Sequence, residues 1–424
     1  MAGPTADLDA EFNWRLRLRR YLLLAGLSMM GPLSIDTYLP AFPTIARDFA
    51  VRPSQIQITL SACMIGLAAG QIFAGPVSDS WGRRRPLMIG LSAFCVGSLI
   101  CAASPSPTVL TLARLLQGLG GSAGIVVASA VVRDLYSGIA MARFFSLLML
   151  VSGLGPVVAP VFGGQLLRFT SWHGIFIALA LAGLILLVGS ARWLPESLAS
   201  EGRRGGGMGT AARTFAQLLG RREFVAPALA TGLSTSVVFA YIAGSPFVLQ
   251  VVYGVSPQIF SLIFATNAAG IVVVSQLNGR MVGRIHPRRL FTLGLSTSFL
   301  GSAAVILVLS LTHHQLWAVL IPLFVVVSSV GLTSPNGNAL ALAGQANVAG
   351  SGAALVGVFR FGAGAIVSPL VGLAGSHTAL PMGLTMIAVS VLAGGVFLAL
   401  GSGRARPGPR SDLAPGRLDH AGEA

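Results

Sequence analysis

Three ionisable residues stand inside stretches that are otherwise apolar: Asp36, Arg114 and Arg360. A charge at the centre of a membrane-crossing helix costs about 2.5–3.5 kcal/mol on insertion scales, so each of the three needs a partner or a task. Every other acid falls in a loop, a tail or the end of an apolar stretch, which makes Asp36 the one carboxylate expected in the apolar interior. Asp36 precedes Pro43 by seven residues and Arg114 follows Pro107 by seven. If the first stretch runs outwards and the fourth inwards, the two share a depth roughly 10 Å from the outer interface and are placed to pair. Two readings stay open. Asp36 is a proton acceptor whose proton affinity is raised by desolvation and lowered by Arg114, or the two form a structural ion pair.

Further candidates surround them. From Arg114 the chain reads Arg-Leu-Leu-Gln117-Gly118-Leu-Gly-Gly121, and helical spacing puts Arg114, Gly118 and Gly121 on one face. A packing groove explains the glycines, which let another helix approach, but not the arginine and glutamine beside them. The fifth stretch holds Gly153, Gly155, Pro156, Pro160, Gly163 and Gly164, so a kinked helix is expected, serving close packing, a hinge, or both. The segment 75–86 is expected to turn at Gly75 and Gly82 and to pair Asp79 with Arg83 and Arg84, with Asp134 joining the cluster. Gln117, Asn267, Asn336 and Arg360 are candidate cavity-lining groups, although lone asparagines also hold helices together. Cys63, Cys95 and Cys101 lack metal-ligand spacing and read as small buried hydrophobes. No Ser-His-Asp, zinc or phosphate-loop pattern falls in the apolar stretches, so neither a metal nor a cofactor is expected. A membrane enzyme or sensor would need such a constellation or a soluble signalling domain.

The elements that must position these residues follow from composition. Hydrophobic residues make up 54% of the chain, charged ones 10%, and the mean hydropathy is +0.79. Twelve apolar stretches are long enough to cross about 30 Å of hydrocarbon as helices: 21–43, 55–78, 86–103, 107–132, 144–167, 174–194, 224–247, 257–279, 290–311, 316–338, 350–373 and 379–400. They are apolar on nearly every face rather than alternating, which favours helices over a barrel and an all-α membrane fold. All basic residues are arginines, and the net charge is +15. With no soluble basic domain, this charge reports topology rather than nucleic-acid binding. With the N-terminus in the cytoplasm, only Arg47, Arg52 and Arg168 fall outside, while Arg114 and Arg360 lie within spans. Both termini are therefore expected in the cytoplasm of a multi-pass inner-membrane protein, with the first span retained rather than cleaved as a signal peptide. The expected domains are a leader at 1–20, six-helix halves at 21–194 and 224–400, a flexible linker at 195–223 and a disordered tail at 401–424.

The chain resembles the major facilitator superfamily, and within it the drug:proton antiporters of the Bcr/CflA (bicyclomycin and chloramphenicol resistance) group. Pro32-Leu-Ser-Ile-Asp36-Thr-Tyr38-Leu-Pro40 is similar to that group's first-helix signature, 75–86 to superfamily motif A, Arg114 to Gly121 to motif B, and Gly153 to Gly164 to antiporter motif C. Ser80, His173 and Arg360 depart from the pattern. The resemblance implies two pseudo-symmetric six-helix bundles and export driven by proton entry. It makes Asp36 the protonatable site, Arg114 its coupling partner, and Asp79, Arg83 and Asp134 an inner gate latch, and it adds Tyr38 to the candidate cavity. The expected partners are a small-molecule substrate and the bilayer, with the protein acting as a monomer and binding no nucleic acid. One acid against two buried bases favours neutral, zwitterionic or anionic substrates. A proton-coupled importer or metabolite exporter of the same fold is the nearest rival.

Overall fold

The computed structural model describes residues 18–198, 207–311, 315–345, 348–373, 375 and 378–401. Most of the expected leader, the expected tail beyond 401, and Arg203, Arg204, His313 and His314 lie outside the described residues. Within them the fold is helical, with only an isolated bridge between Val282 and Ile285. The first span is broken: α1 (Leu18–Ser28) and α2 (Met30–Asp36) are followed by a 3-10 turn (Leu39–Ala41) and α3 (Phe42–Asp48), with a 43° bend after α1. Pro32 has no amide for the carbonyl of Ser28, and Pro40 and Pro43 interrupt the ladder again. Asp36 therefore closes a short helix at a place where the backbone is irregular.

The other spans are α4 (Pro53–Trp81), α5 (Arg84–Ala102), α6 (Pro107–Leu135), α7 (Gly138–Leu166) and α8 (Trp172–Trp193). After α9 (Gly207–Leu219) come α10 (Arg222–Phe247), which ends in a π-turn (Val248–Val252), α11 (Pro257–Met281) and α12 (Pro287–Leu311). The chain closes with α13 (Leu316–Ser328), α14 (Val330–Leu342), α15 (Ala349–Val371) and α16 (Leu380–Gly401), α13 and α14 forming one span. Eleven spans pass by length and apolarity alone, and the bent α1–α3 segment makes twelve. Ser106 and Ser256 cap α6 and α11 through the amides of Val109 and Ile259, each followed by Pro at the first helical position. Exposed Ile185, Leu300, Ile321 and Ile366 belong to an outer surface suited to lipid.

Two departures from the sequence reading have physical causes. The linker contains a helix: α9 has one apolar face, and its buried Leu218 packs with Phe224, Ala341 and Leu355 of the second half. It also touches α4, so it joins the two halves at the arginine-rich face. Secondly, Gly75 makes no turn. It lies inside α4, and a Cβ there would meet nothing within 4 Å. The turn rests on Gly82 alone, whose φ of +87° is a conformation that favours glycine. The halves meet where α4 packs on α15 and α7 on α11.

Candidate functional site

Asp36 is buried at the end of α2, and its Oδ1 has no hydrogen-bond partner. The expected pair with Arg114 is not formed. Arg114, fully buried, lays its guanidinium 4.1 Å from the centre of the Tyr38 ring and 5.8 Å from that of Phe176, and it donates to Gln117 Oε1. Gln117 in turn donates to Ser98 Oγ on α5 at 2.7 Å. The aromatic face of Tyr38 thus takes the cation that a carboxylate was expected to take. Tyr38 itself shares a hydrogen bond with Thr59 Oγ1 at 3.3 Å. Tyr38, Arg114 and Gln117, read from the sequence as cavity and coupling groups, form a packed polar cluster inside the first half. The reason is steric: on α6, Gly118 faces the carbonyl of Cys63 on α4 and Gly120 faces α5, so the helix is gripped on both sides.

Just beyond Asp36 the chain meets the second half, where the Pro40 carbonyl accepts from Gln250. Tyr241 of α10 is buried and its hydroxyl accepts a hydrogen bond from Asn267 Nδ2 at 2.8 Å. Asn336 donates to Asn278 Oδ1 at 2.6 Å and to the Leu332 carbonyl, so here it fastens α14 to α11. Arg360 keeps a buried Nε without a partner.

Motif C lies at the seam. α7 runs through Pro156 and Pro160 as one uninterrupted helix. A Cβ on Gly155 or Gly163 would strike Pro32 or the Thr37 carbonyl, and one on Gly164 would strike Ser261 of α11. Gly153 is less crowded, its nearest neighbour being Val272 at 3.7 Å. The face opposite the arginine-rich one is tied by three glutamine amides that the sequence reading missed. Gln57 donates to the Ala243 carbonyl at 2.9 Å, Gln250 to the Pro40 carbonyl at 3.1 Å and Gln258 to the Gly164 carbonyl at 3.0 Å, each crossing between halves. Polar amides near the ends of spans 2, 7 and 8 were the available signal.

At the arginine-rich face, Arg83 pairs with Asp79 and with Asp134, the latter through Nε at 2.8 Å, and also donates to Ser78 Oγ at 3.0 Å. Burial works against its charge, but hydrogen bonds to Asp134 and Asp79 hold the guanidinium above its ordinary pKa. Arg84 reaches the Ala191 carbonyl at 2.6 Å rather than an acid. Glu196, also missed, accepts the Arg83 and Arg84 amides at 2.7 and 3.2 Å and so caps the start of α5. A cleft of about 880 Å³ lined by Trp81, Arg84, Arg85 and Glu196 lies beside this latch, away from Asp36.

The sequence profile of the Major Facilitator Superfamily matches residues 23–369. The chain belongs to the Major Facilitator Superfamily. It is 42% identical to the uncharacterized MFS-type transporter YdgK of Bacillus subtilis (strain 168), over 91% of this chain and 96% of that one. It is 33% identical to a bicyclomycin resistance protein homolog of Haemophilus influenzae, over 88% and 94%, in agreement with the Bcr/CflA resemblance. The multidrug resistance protein MdtL of Salmonella heidelberg is 31% identical over 64% and 69%. In fold the chain is similar to the nucleoside transporter NupG (TM-score 0.72, 13% identity, 91% and 99% covered). It is likewise similar to the D-xylose-proton symporter (TM-score 0.67, 15% identity, 88% and 96% covered). This MFS protein is a multi-pass membrane transporter and not an enzyme.

Proposed function

We propose that this MFS transporter is a proton-coupled antiporter that exports small molecules from the cytoplasm across the inner membrane, both termini facing the cytoplasm. The observation that carries the reading is Asp36: a buried, unpaired carboxylate at the seam of two halves whose contacts must change when they rock. A proton bound there from outside and released inside supplies about 2.3 kcal/mol per 100 mV and roughly 1.4 kcal/mol per pH unit, enough for a substrate gradient of a hundredfold or more. No cofactor beyond the proton is required, and a monomer suffices. The names of the bicyclomycin and multidrug resistance relatives support drugs as cargo.

Arg360 narrows the substrate. Its buried Nε lacks a partner, so cargo that brings an acceptor is favoured over strongly cationic dyes. Transport in proteoliposomes with an imposed pH gradient, across neutral, cationic and anionic compounds, tests direction, coupling and charge together. Proton-driven export that disappears in Asp36→Asn is the expected result. Undiminished coupling in a well-folded Asp36→Asn protein overturns the proposal, and preferential export of an ethidium-like cation overturns the charge assignment.

A further inference from the structure

Beside the Arg83 latch lies positive charge that no protein group matches. Among the described residues the only ion pairs are those of Arg83 with Asp79 and Asp134; the next two residues, Arg84 and Arg85, are exposed and form none. Arg84 gives one guanidinium nitrogen to the neutral Ala191 carbonyl. Both arginines line the cleft of about 880 Å³, and the one acid there, Glu196, is turned to backbone: its oxygens accept the amides of Arg83, Arg84 and Leu198. The rest of the cleft is largely apolar, with Met88 and the exposed Trp81 and Ile89. Trp81 ends one span and Arg84 begins the next, so the cleft sits where hydrocarbon gives way to water, the depth that tryptophan favours. Deeper along α5, Ile89, Val96 and Ile100 are exposed on the same helix face as Arg85. Arg85 to Ile100 spans about 22 Å, enough to follow a lipid chain from its headgroup through one leaflet.

We propose that this cleft seats the headgroup of an anionic phospholipid, its phosphate held by Arg84 and Arg85, its glycerol region against Trp81 and one acyl chain along Ile89, Val96 and Ile100. Guanidinium groups suit phosphate oxygens because their N–H donors form a planar fork, and basic pockets between helices at the headgroup level recognise such lipids. A soluble anion would engage the arginines but leave the apolar lane of α5 uncovered. A zwitterionic lipid would cover the lane but bring a cation of its own towards the two arginines. Glu196 does not cancel them, because its charge is held against the first amides of α5. Every lining residue belongs to the first half or to the few residues that follow it, so the seat persists while the halves rock.

The test is native mass spectrometry of the full-length protein released from detergent, titrated with phosphatidylglycerol or phosphatidylcholine of the same acyl chains. Each arginine near the headgroups is worth about fivefold in binding an anionic lipid, so the first phosphatidylglycerol should bind about 25-fold more tightly than the first phosphatidylcholine. Arg84→Gln and Arg85→Gln should each cut that preference about fivefold, and the double variant should abolish it. The exposed pair Arg280→Gln, Arg284→Gln, at the same membrane face but in the second half, should leave it unchanged. Ile89→Glu, which blocks the acyl lane while keeping both arginines, should also weaken phosphatidylglycerol binding. A preference that survives the Arg84, Arg85 double variant, or that falls equally in the Arg280, Arg284 variant, overturns the proposal. Inorganic phosphate that displaces the lipid at equal concentration, or phosphatidylglycerol binding untouched by Ile89→Glu, shows a soluble-anion site and overturns the lipid assignment.

Discussion

Replacing the three seam glutamines with leucine should open the face opposite the arginine-rich one. Each amide-to-carbonyl bond contributes about 1 kcal/mol net, a factor of about five in the closed-to-open ratio. The three share no partner, so the triple variant Gln57→Leu, Gln250→Leu, Gln258→Leu should lose about 3 kcal/mol, roughly 150-fold. The bonds are not equal. Arg168 donates its amide to Gln165, leaving the Gly164 carbonyl without that helical donor, so Gln258→Leu orphans a carbonyl that water would satisfy once the seam opens. Gln57 already carries an unpartnered buried Oε1, and its replacement removes that penalty along with the bond. Gln258→Leu should therefore exceed Gln57→Leu. The assay is maleimide labelling of Val248→Cys in nanodiscs, with the native cysteines replaced. Val248 is buried in a crevice between the halves lined by Gln57, Gly372 and Met382, so it reacts only when the seam parts. A triple variant labelled at the parental rate would refute the reasoning, and the reverse order of the singles would refute its account of the orphan carbonyl.

Other outcomes follow from the same geometry. The Arg83 latch should be pH-independent from about pH 5 to 9, because its partners hold its pKa above an already high value; Arg83→His should give transport that is retained below about pH 6.5 and lost above it, as the imidazolium deprotonates. Gly118→Ala places a Cβ 2.2 Å from the Cys63 carbonyl and should sharply lower melting temperature and folded yield, whereas Gly75→Ala meets nothing within 4 Å and should be neutral or stabilising by about 0.5–1 kcal/mol, both read by thermal unfolding in detergent. Arg114→Lys keeps the charge but loses the planar stack on Tyr38 and should cost thermal stability, whereas an Asp36 ion pair would tolerate lysine.

Span positions and helical class were legible in the sequence because twenty apolar residues admit few alternatives in lipid, and helix starts were legible where Ser-Pro marks them. The amphipathic α9 was obscured by the glycines and arginines around it, and its partner surface on Phe224 and Leu355 exists only once the second half has folded. Asp36 and the Arg83 cluster could be singled out because charge in apolar surroundings is rare. Which group each one meets could not: Arg114 and Asp36 share a depth, yet a helix rotation decided by Gly118 against Cys63 sends Arg114 to Tyr38. Glu196 and Tyr241 are ordinary residues in sequence, distinguished only by what lies across from them.

The distribution of bond types fits a protein whose seam must break in each cycle. Arg83 is joined to Asp79 and Asp134 wholly within the first half, where the bonds need not be exchanged as the halves rock. Breaking a buried ion pair costs about 3–5 kcal/mol, and several such pairs across the seam would consume the energy that a single proton delivers. The crossing bonds at Gln57, Gln250 and Gln258 are neutral and individually weak, so the drop in free energy from one proton can open them together. Arg114, held inside its own half by Tyr38 and Gln117, is likewise kept off the seam. Asp36 is the exception, a charge whose neutralisation by the proton itself removes the cost of separating the surfaces. Adding a fixed pair across the seam, Gln258→Arg opposite Gln165→Glu, should on this argument trap the closed face and slow transport by more than tenfold, a loss that Gln258→Leu would not produce.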